Sequence, residues 1–156
     1  MRAVLDTNVV ISGIFFGGIP GEVLDAWADN QFELVLTPSI LDEYLRTCDR
    51  LGASHPDLEY REVLAAIAGH ATLVADNETD EAITADPADD KFMVCGQLAD
   101  ALVISGDAHL LNASGWCGVI VITPRDFIRR LGVSEATYTL EFTCGARSAL
   151  SGATPR

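Results

Sequence analysis

The sequence predicts an α/β domain with a mostly parallel sheet covered by helices on both faces, and three observations predict it. Short Val, Ile and Leu runs alternate with helical segments from one end of the chain towards the other. Within each run the apolar residues are continuous, as expected of strands buried on both faces. Helical segments also open with a proline directly behind a capping side chain, at Thr37-Pro38 and Asp86-Pro87, which marks where a strand or loop gives way to a helix.

In chain order, Ala3 to Leu5 reads as the first strand, and Gly21 to Ala28 as a helix. Phe32 to Leu36 is the second strand, followed by a helix from Pro38 to Leu51 with the apolar stripe Leu41, Tyr44, Leu45 and Cys48. Leu58 to Ala68 is helical and Ala71 to Val74 a third strand. Pro87 to Leu98 is a helix, Ala101 to Ile104 the fourth strand and Val119 to Ile122 the fifth. Thr123-Pro124 repeats the capping device and opens a last helix ending at Leu131. The domain is therefore expected over residues 1–132. Residues 133–156 read as an appendix, with one strand-like stretch from Thr137 to Thr143 and then a Gly, Ser and Ala-rich end.

A chain of 156 residues supports one domain with a real core. Its 49% apolar content excludes disorder, and no run reaches the roughly 18 apolar residues of a membrane helix. A carboxylate at Asp6 interrupts any apolar leader, so a soluble, cytoplasmic protein is expected. Cysteines 48, 95, 117 and 144 are far apart and form no C-x-x-C, which favours reduced thiols packed as small apolar groups over structural zinc. A net charge of -13 argues against a surface that coats nucleic acid, unless metal cations intervene. The basic residues are nine arginines and the single Lys91; Arg46 with Arg50, and Arg125 with Arg129 and Arg130, are grouped at helical spacing.

Acids at the carboxyl ends of strands matter most in an open α/β sheet, because ligands bind there. Asp6 ends the first strand and Asp107 follows the fourth, in "ALVISGD". Glu43 in "TPSILDEYL" and Asp89 or Asp90 in "DPADDKF" lie near helix starts that face the same edge if the crossovers are regular. Three or four carboxylates around one cleft need cations, and oxygen-only ligation selects hard ions such as Mg2+ or Mn2+. Each acid also has a structural reading. Asp6, with Asn8, fits a helix cap, Glu43 an exposed helix acid, and Asp107 a cap for "AHLLN". Asp86 fits an N-cap and Asp89 a first-turn acid complementing the helix dipole, which leaves Asp90 without a capping task. His55 and His70 read as turn and helix-end residues, and no Ser-His-Asp order, phosphate-binding glycine loop or H-E-x-x-H is present.

The stretches "MRAVLDTNVVISGIF", "FELVLTPSILDEYLR", "DPADDKF", "LVISGDAHLL" and "GVIVITPRDFI", in this order and spacing, resemble PIN-domain ribonucleases. In particular they resemble VapC-like bacterial proteins assigned as toxins of toxin–antitoxin systems. The likeness runs from Met1 to about Leu131, and "DP-x-DDKF" followed by "SGD-x-x-LL" is its most specific part. It implies a PIN-like three-layer α/β/α sandwich whose acidic cleft binds one or two Mg2+ or Mn2+ ions and cuts single-stranded RNA by hydrolysis. Carried over by position, the metal-binding and catalytic acids would be Asp6, Glu43, Asp90 and Asp107, with Asn8 and Ser105 holding them in place. Arg46, Arg50 and Lys91 would be RNA backbone contacts. The resemblance further implies a homodimer and a cognate antitoxin, with no membrane partner.

Two departures stand out. Relatives often carry an acid two positions beyond the last aspartate, where this chain has His109, a poorer Mg2+ ligand that bears on a second metal site. Gly96 stands where alanine is common inside a helix, at about 1 kcal/mol of helix propensity unless it permits closer packing. Two rivals are distinguishable. An aspartyl-nucleophile phosphatase of the haloacid-dehalogenase type wants a second aspartate where Asn8 stands. A catalytically silent PIN-like module would bind RNA or protein without cutting.

Overall fold

Ala3, Val4 and Leu5 are wholly buried, as a strand covered on both faces must be, and they occupy the centre of the sheet. The structure, a computed structural model, describes residues 1–132. The predicted appendix at 133–156 and its strand at Thr137 to Thr143 lie outside the described residues.

The elements run β1 (Arg2–Leu5), α1 (Thr7–Phe16), α2 (Gly18–Ala28), β2 (Glu33–Leu36), α3 (Pro38–Gly52), α4 (Tyr60–His70) and β3 (Thr72–Leu73). A 3-10 turn (Pro87–Asp89) then leads into α5 (Asp90–Ala99), β4 (Leu102–Ile104) and α6 (Ala108–Asn112). A second 3-10 turn (Trp116–Gly118) precedes β5 (Val121–Ile122) and α7 (Pro124–Leu131). The five strands lie in the order β3-β2-β1-β4-β5 and every pairing is parallel, with Ala3 opposite Leu34 on one side and Leu102 on the other. The expected α/β/α sandwich around a mostly parallel sheet is what forms, flanked by seven α-helices among the described residues.

The chain steps from β1 outward to β2 and β3, then returns to place β4 on the opposite side of β1. Strand order therefore reverses between β1 and β4, and the crevice beyond their carboxyl ends is where such a fold receives ligands. α5 packs on β1 and β4, α1 against α2 and α3, and α2 against α7. Phe127 of α7 meets Phe32 edge-on, with ring centroids 4.9 Å apart, closing one end of the core.

The sequence reading weighed Asp6 as the cap of a helix here but gave α1 no bounds. Val9, Val10 and Ile11 are β-branched and extend the apolar run of β1, yet the Asp6 side chain accepts the Asn8 N–H and turns the chain into a helix. Gly17, at φ 69°, ends α1 and permits the sharp turn into α2. At the predicted fifth strand only Val121–Ile122 pairs, after the 3-10 turn. Gly96 does allow close packing: a Cβ there would stand 2.9 Å from Val103 Cγ2 and 3.1 Å from Val119 Cγ1. Cys48 and Cys95 are buried free thiols, pushed up to about 11 and about 12 chiefly by burial. Among the described residues no single helix is long and apolar enough to cross a membrane.

Candidate active site

Asp6 leaves β1 directly into the β1–β4 crevice and is only 4% exposed. An aspartate so placed needs donors, and it has them. Oδ1 accepts the Asn8 N–H at 3.3 Å and Oδ2 accepts the Ser105 hydroxyl at 2.7 Å. Burial, reinforced by Asp107 and Glu43, nevertheless pushes its carboxyl above the ordinary aspartate range, against the lowering effect of those two hydrogen bonds.

Ser105 is fully buried at the end of β4 and serves both aspartates. Its hydroxyl donates to Asp6, and its oxygen accepts the Asp107 N–H at 2.9 Å. Asp107 in turn caps α6, accepting the His109 N–H at 2.7 Å. Each of these two aspartates thus caps the helix behind it while standing at a strand end, so the capping and functional readings are compatible. Asn8 is exposed; it meets Asp6 through its backbone, and it lines a cleft of about 300 Å³ together with Val9, Ser12, Pro20, Gly106, Asp107 and Pro124.

Glu43 reaches the same field from α3. Tyr44, fully buried beside it in sequence, donates its hydroxyl to the Leu5 carbonyl and ties α3 to the end of β1. Burial, followed by the charge of Asp6, holds that phenol well above its ordinary value, so it remains a donor. Glu43 Oε1 accepts the hydroxyl of Thr7, a residue the sequence reading passed over, and Oε2 pairs with the Lys91 ammonium.

In the segment "DPADDKF" each acid has its own hydrogen-bonding surroundings. Asp86 is the N-cap as expected, accepting the Ala88 N–H at 3.0 Å. Asp90, expected among the metal-binding acids, is 7% exposed and holds the preceding loop: it accepts the Ile83 N–H at 3.3 Å, the Thr84 N–H at 2.8 Å and the Thr84 hydroxyl at 2.7 Å. Asp89, offered beside Asp90 as a site acid and also as a first-turn acid complementing the helix dipole, makes no side-chain cap bond. Burial first, then Asp6, Asp86, Asp107 and Glu43, push its carboxyl up to about 6. Successive residues on a helix differ by about 100° in direction, so the two neighbours face different surroundings.

Asp6 and Asp107 thus share Ser105 at the strand ends, with Glu43 and Asp89 within reach of their charge, and carboxylate oxygen is the donor chemistry a hard divalent cation requires. Among the described residues no three His, Cys, Asp or Glu side chains are close enough to enclose an ion as they stand. Arg46 is exposed on α3 and pairs with Asp42 at 2.8 Å, and Arg50 lies exposed in the last turn of that helix. His109 is exposed as the second residue of α6.

Comparison with known proteins adds to this geometry. The sequence model of the PIN domain matches residues 2–109. No curated protein matches the chain in sequence. Among solved structures, PAE2754 from Pyrobaculum aerophilum superposes with a TM-score of 0.59 at 12% identity, covering 86% of this chain and 91% of that one. A PilT N-terminus domain protein, SSO1118 from the archaeon Sulfolobus solfataricus, superposes at 0.57 with 12% identity, covering 86% and 96%. VapBC2 from Rickettsia felis, solved bound to a DNA fragment from its promoter, superposes at 0.56 with 11% identity, covering 79% and 98%. At these identities the solved structures speak for the fold.

Proposed function

Because the chain belongs to the PIN-domain family, we propose that it is a divalent-cation-dependent endoribonuclease that hydrolyses single-stranded RNA, acting in the cytoplasm as the toxin of a toxin–antitoxin pair. The observation that carries this reading is the placement of Asp6 and Asp107 beyond the strand ends where sheet order reverses, joined there through the Ser105 hydroxyl. Four oxygen-bearing acids there, two of them raised by burial and then by acidic neighbours, make a cation-demanding cleft in a chain whose net charge of -13 would otherwise repel RNA.

Asp6, Glu43, Asp89 and Asp107 would hold the ion. Mg2+ or Mn2+ supplies Lewis-acid activation of water and offsets charge at the phosphodiester. Ser105 fixes the Asp6 carboxylate and the Asp107 backbone in one hydrogen-bonded unit, so those acids are oriented before the ion arrives. Thr7 orients Glu43. Asp90, named by position among the acids, acts in this proposal by holding the 83–84 loop that leads to Asp89. Asn8 and the walls of the cleft beside Asp107 would meet the nucleotide, and Lys91, Arg46 and Arg50 its phosphates. His109 in place of a carboxylate favours one tightly held ion over two. A homodimer and a small antitoxin protein complete the proposal; VapBC2, a toxin–antitoxin protein by its name, shares the fold.

The test is cleavage of a mixed single-stranded RNA pool by the purified protein, with Mg2+, Mn2+ or chelator, beside Asp6→Asn prepared identically. Metal-dependent cutting that the variant lacks, leaving 5′-phosphate and 3′-hydroxyl ends, is the expected result. Cyclic-phosphate ends would refute the mechanism. Absence of both cutting and Mn2+ binding would instead favour the silent binding module.

A further inference from the structure

Lys91 is the only lysine in the chain and sits in the first turn of α5, where the positive end of the helix dipole disfavours a cation. Its surroundings reverse that preference. The ammonium pairs with Glu43 Oε2, with the two side chains only 25% and 28% exposed, and its charge also lowers the Asp76 carboxyl. The ammonium lies 5.4 Å from the centre of the Phe92 ring, a second stabilising contact. The exposed pairs in this protein differ: Arg46 with Asp42 leaves both side chains more than half exposed.

The pair has a consequence for Glu43. Its Oε1 already accepts the Thr7 hydroxyl, and its Oε2 carries the ammonium. A divalent cation at this acid needs one of these oxygens. A neutral hydroxyl can stay hydrogen-bonded to a ligating carboxylate, whereas an ammonium and a metal ion on the same oxygen repel. Lysine's flexible four-carbon stem lets its charge move by several ångströms without moving α5.

Resting on the nuclease reading above, we propose that Lys91 is a displaceable internal counter-cation: it occupies Glu43 until a divalent ion takes that oxygen, and the released ammonium then meets a phosphate of the incoming strand. Ion entry and the freeing of an RNA-binding charge become one event.

Calorimetric titration with Mn2+ in the absence of RNA tests this on the parent, Lys91→Met, Lys91→Arg and Glu43→Gln proteins, and on the Lys91→Met/Glu43→Gln double variant. Lys91→Met is expected to bind Mn2+ roughly three- to tenfold more tightly than the parent, the worth of a partly exposed ion pair. Lys91→Arg is expected to bind Mn2+ more weakly than the parent, because a bidentate guanidinium is harder to displace from Glu43 than an ammonium. Adding Lys91→Met to Glu43→Gln brings no gain. At saturating Mn2+, Lys91→Met raises KM for RNA. Far-UV circular dichroism and unfolding in chelator establish that each variant folds. Equal or weaker Mn2+ binding by Lys91→Met, with the parent binding normally, overturns the counter-cation and leaves the nuclease site standing. A gain that persists beside Glu43→Gln also overturns it, since any lost positive charge would then suffice. An unchanged KM overturns the hand-over to phosphate. Failure of both parent and Lys91→Met to bind Mn2+ overturns this proposal and the nuclease reading together.

Discussion

Replacing Asp90 by alanine removes an acceptor that holds three donors at once: the Ile83 N–H at 3.3 Å, the Thr84 N–H at 2.8 Å and the Thr84 hydroxyl at 2.7 Å. Hydrogen bonds to a charged acceptor contribute about 1.5 to 3 kcal/mol each when nothing replaces them. Here Ile83 and Thr84 are half-buried, so water re-satisfies part of what is lost, and the longest contact contributes least. The expected loss is about 2 to 3 kcal/mol, near that of one full charge-assisted bond and a share of the others. Asp89→Asn, one position earlier, should behave oppositely. It removes a carboxylate raised by its acidic neighbours, so stability in chelator near neutral pH is unchanged or improved while Mn2+ binding and cleavage fall. Urea unfolding in chelator, followed by far-UV circular dichroism, gives the first quantity, and calorimetric Mn2+ titration the second. If Asp90→Ala lies within about 0.5 kcal/mol of the parent, the scatter of an ordinary surface substitution, and loses Mn2+ binding, the division of labour argued for this pair is wrong.

Ser105→Ala leaves Asp6 without its hydroxyl donor and the Asp107 N–H without its acceptor; cleavage or Mn2+ affinity should fall about 10- to 100-fold, and an unchanged value would refute the orienting role. Gly96→Ala gains about 1 kcal/mol of helix propensity but forces a Cβ against Val103 and Val119, an overpacking that costs about 1 to 3 kcal/mol, so net destabilisation by urea unfolding is expected. For pH, Asp6 and Asp89 are raised in the fold, so their protonated forms favour the native state. In chelator the contribution is full below the ordinary aspartate value of 3.8 and is lost as pH rises through about 6, the folded value for Asp89. The melting temperature should therefore fall between roughly pH 5 and 7 in chelator, and saturating Mn2+ should flatten that fall. A rise over that interval would refute it. Glu33 and Asp76, lowered by their hydrogen bonds, act at more acid pH, where their stabilisation is lost.

Much of the fold was legible because its signals are local. A continuous apolar run ending in Asp6 marks β1, and Thr37-Pro38 marks the start of α3 to the residue. The bounds of α1 were not legible because Val9, Val10 and Ile11 satisfy strand and buried helix equally, and the Asp6 cap decides between them. At the site, Asp6 and Asp107 could be read from strand ends alone, whereas Glu43 depended on the crossovers being regular. The choice between Asp89 and Asp90 could not be read, since a 3-10 turn runs into a helix there and the direction of each side chain depends on where the change falls. Thr7 and Lys91 escaped as partners of Glu43 for another reason: they lie 36 and 48 residues away from it.

The burial and neighbouring charges that raise Asp6 also explain why this site needs so many neutral donors. Without Ser105, Thr7 and the Asn8 N–H, burying Asp6 beside Asp107 and Glu43 would drive protonation, and a protonated acid is a poor ligand for a hard cation. With too many donors, or with a fixed salt bridge to an arginine, the acids would be satisfied and would have little to gain from an ion. The arrangement lies between those limits: hydroxyls and a backbone amide orient the charge without cancelling it, and the cation paired with Glu43 is a lysine on a flexible stem. On this argument an arginine held rigidly at position 91 is the more damaging form of a conservative change. Lys91→Arg combined with a shortened acid, Glu43→Asp, should recover less cleavage than Glu43→Asp alone if the guanidinium locks bidentately onto the carboxylate.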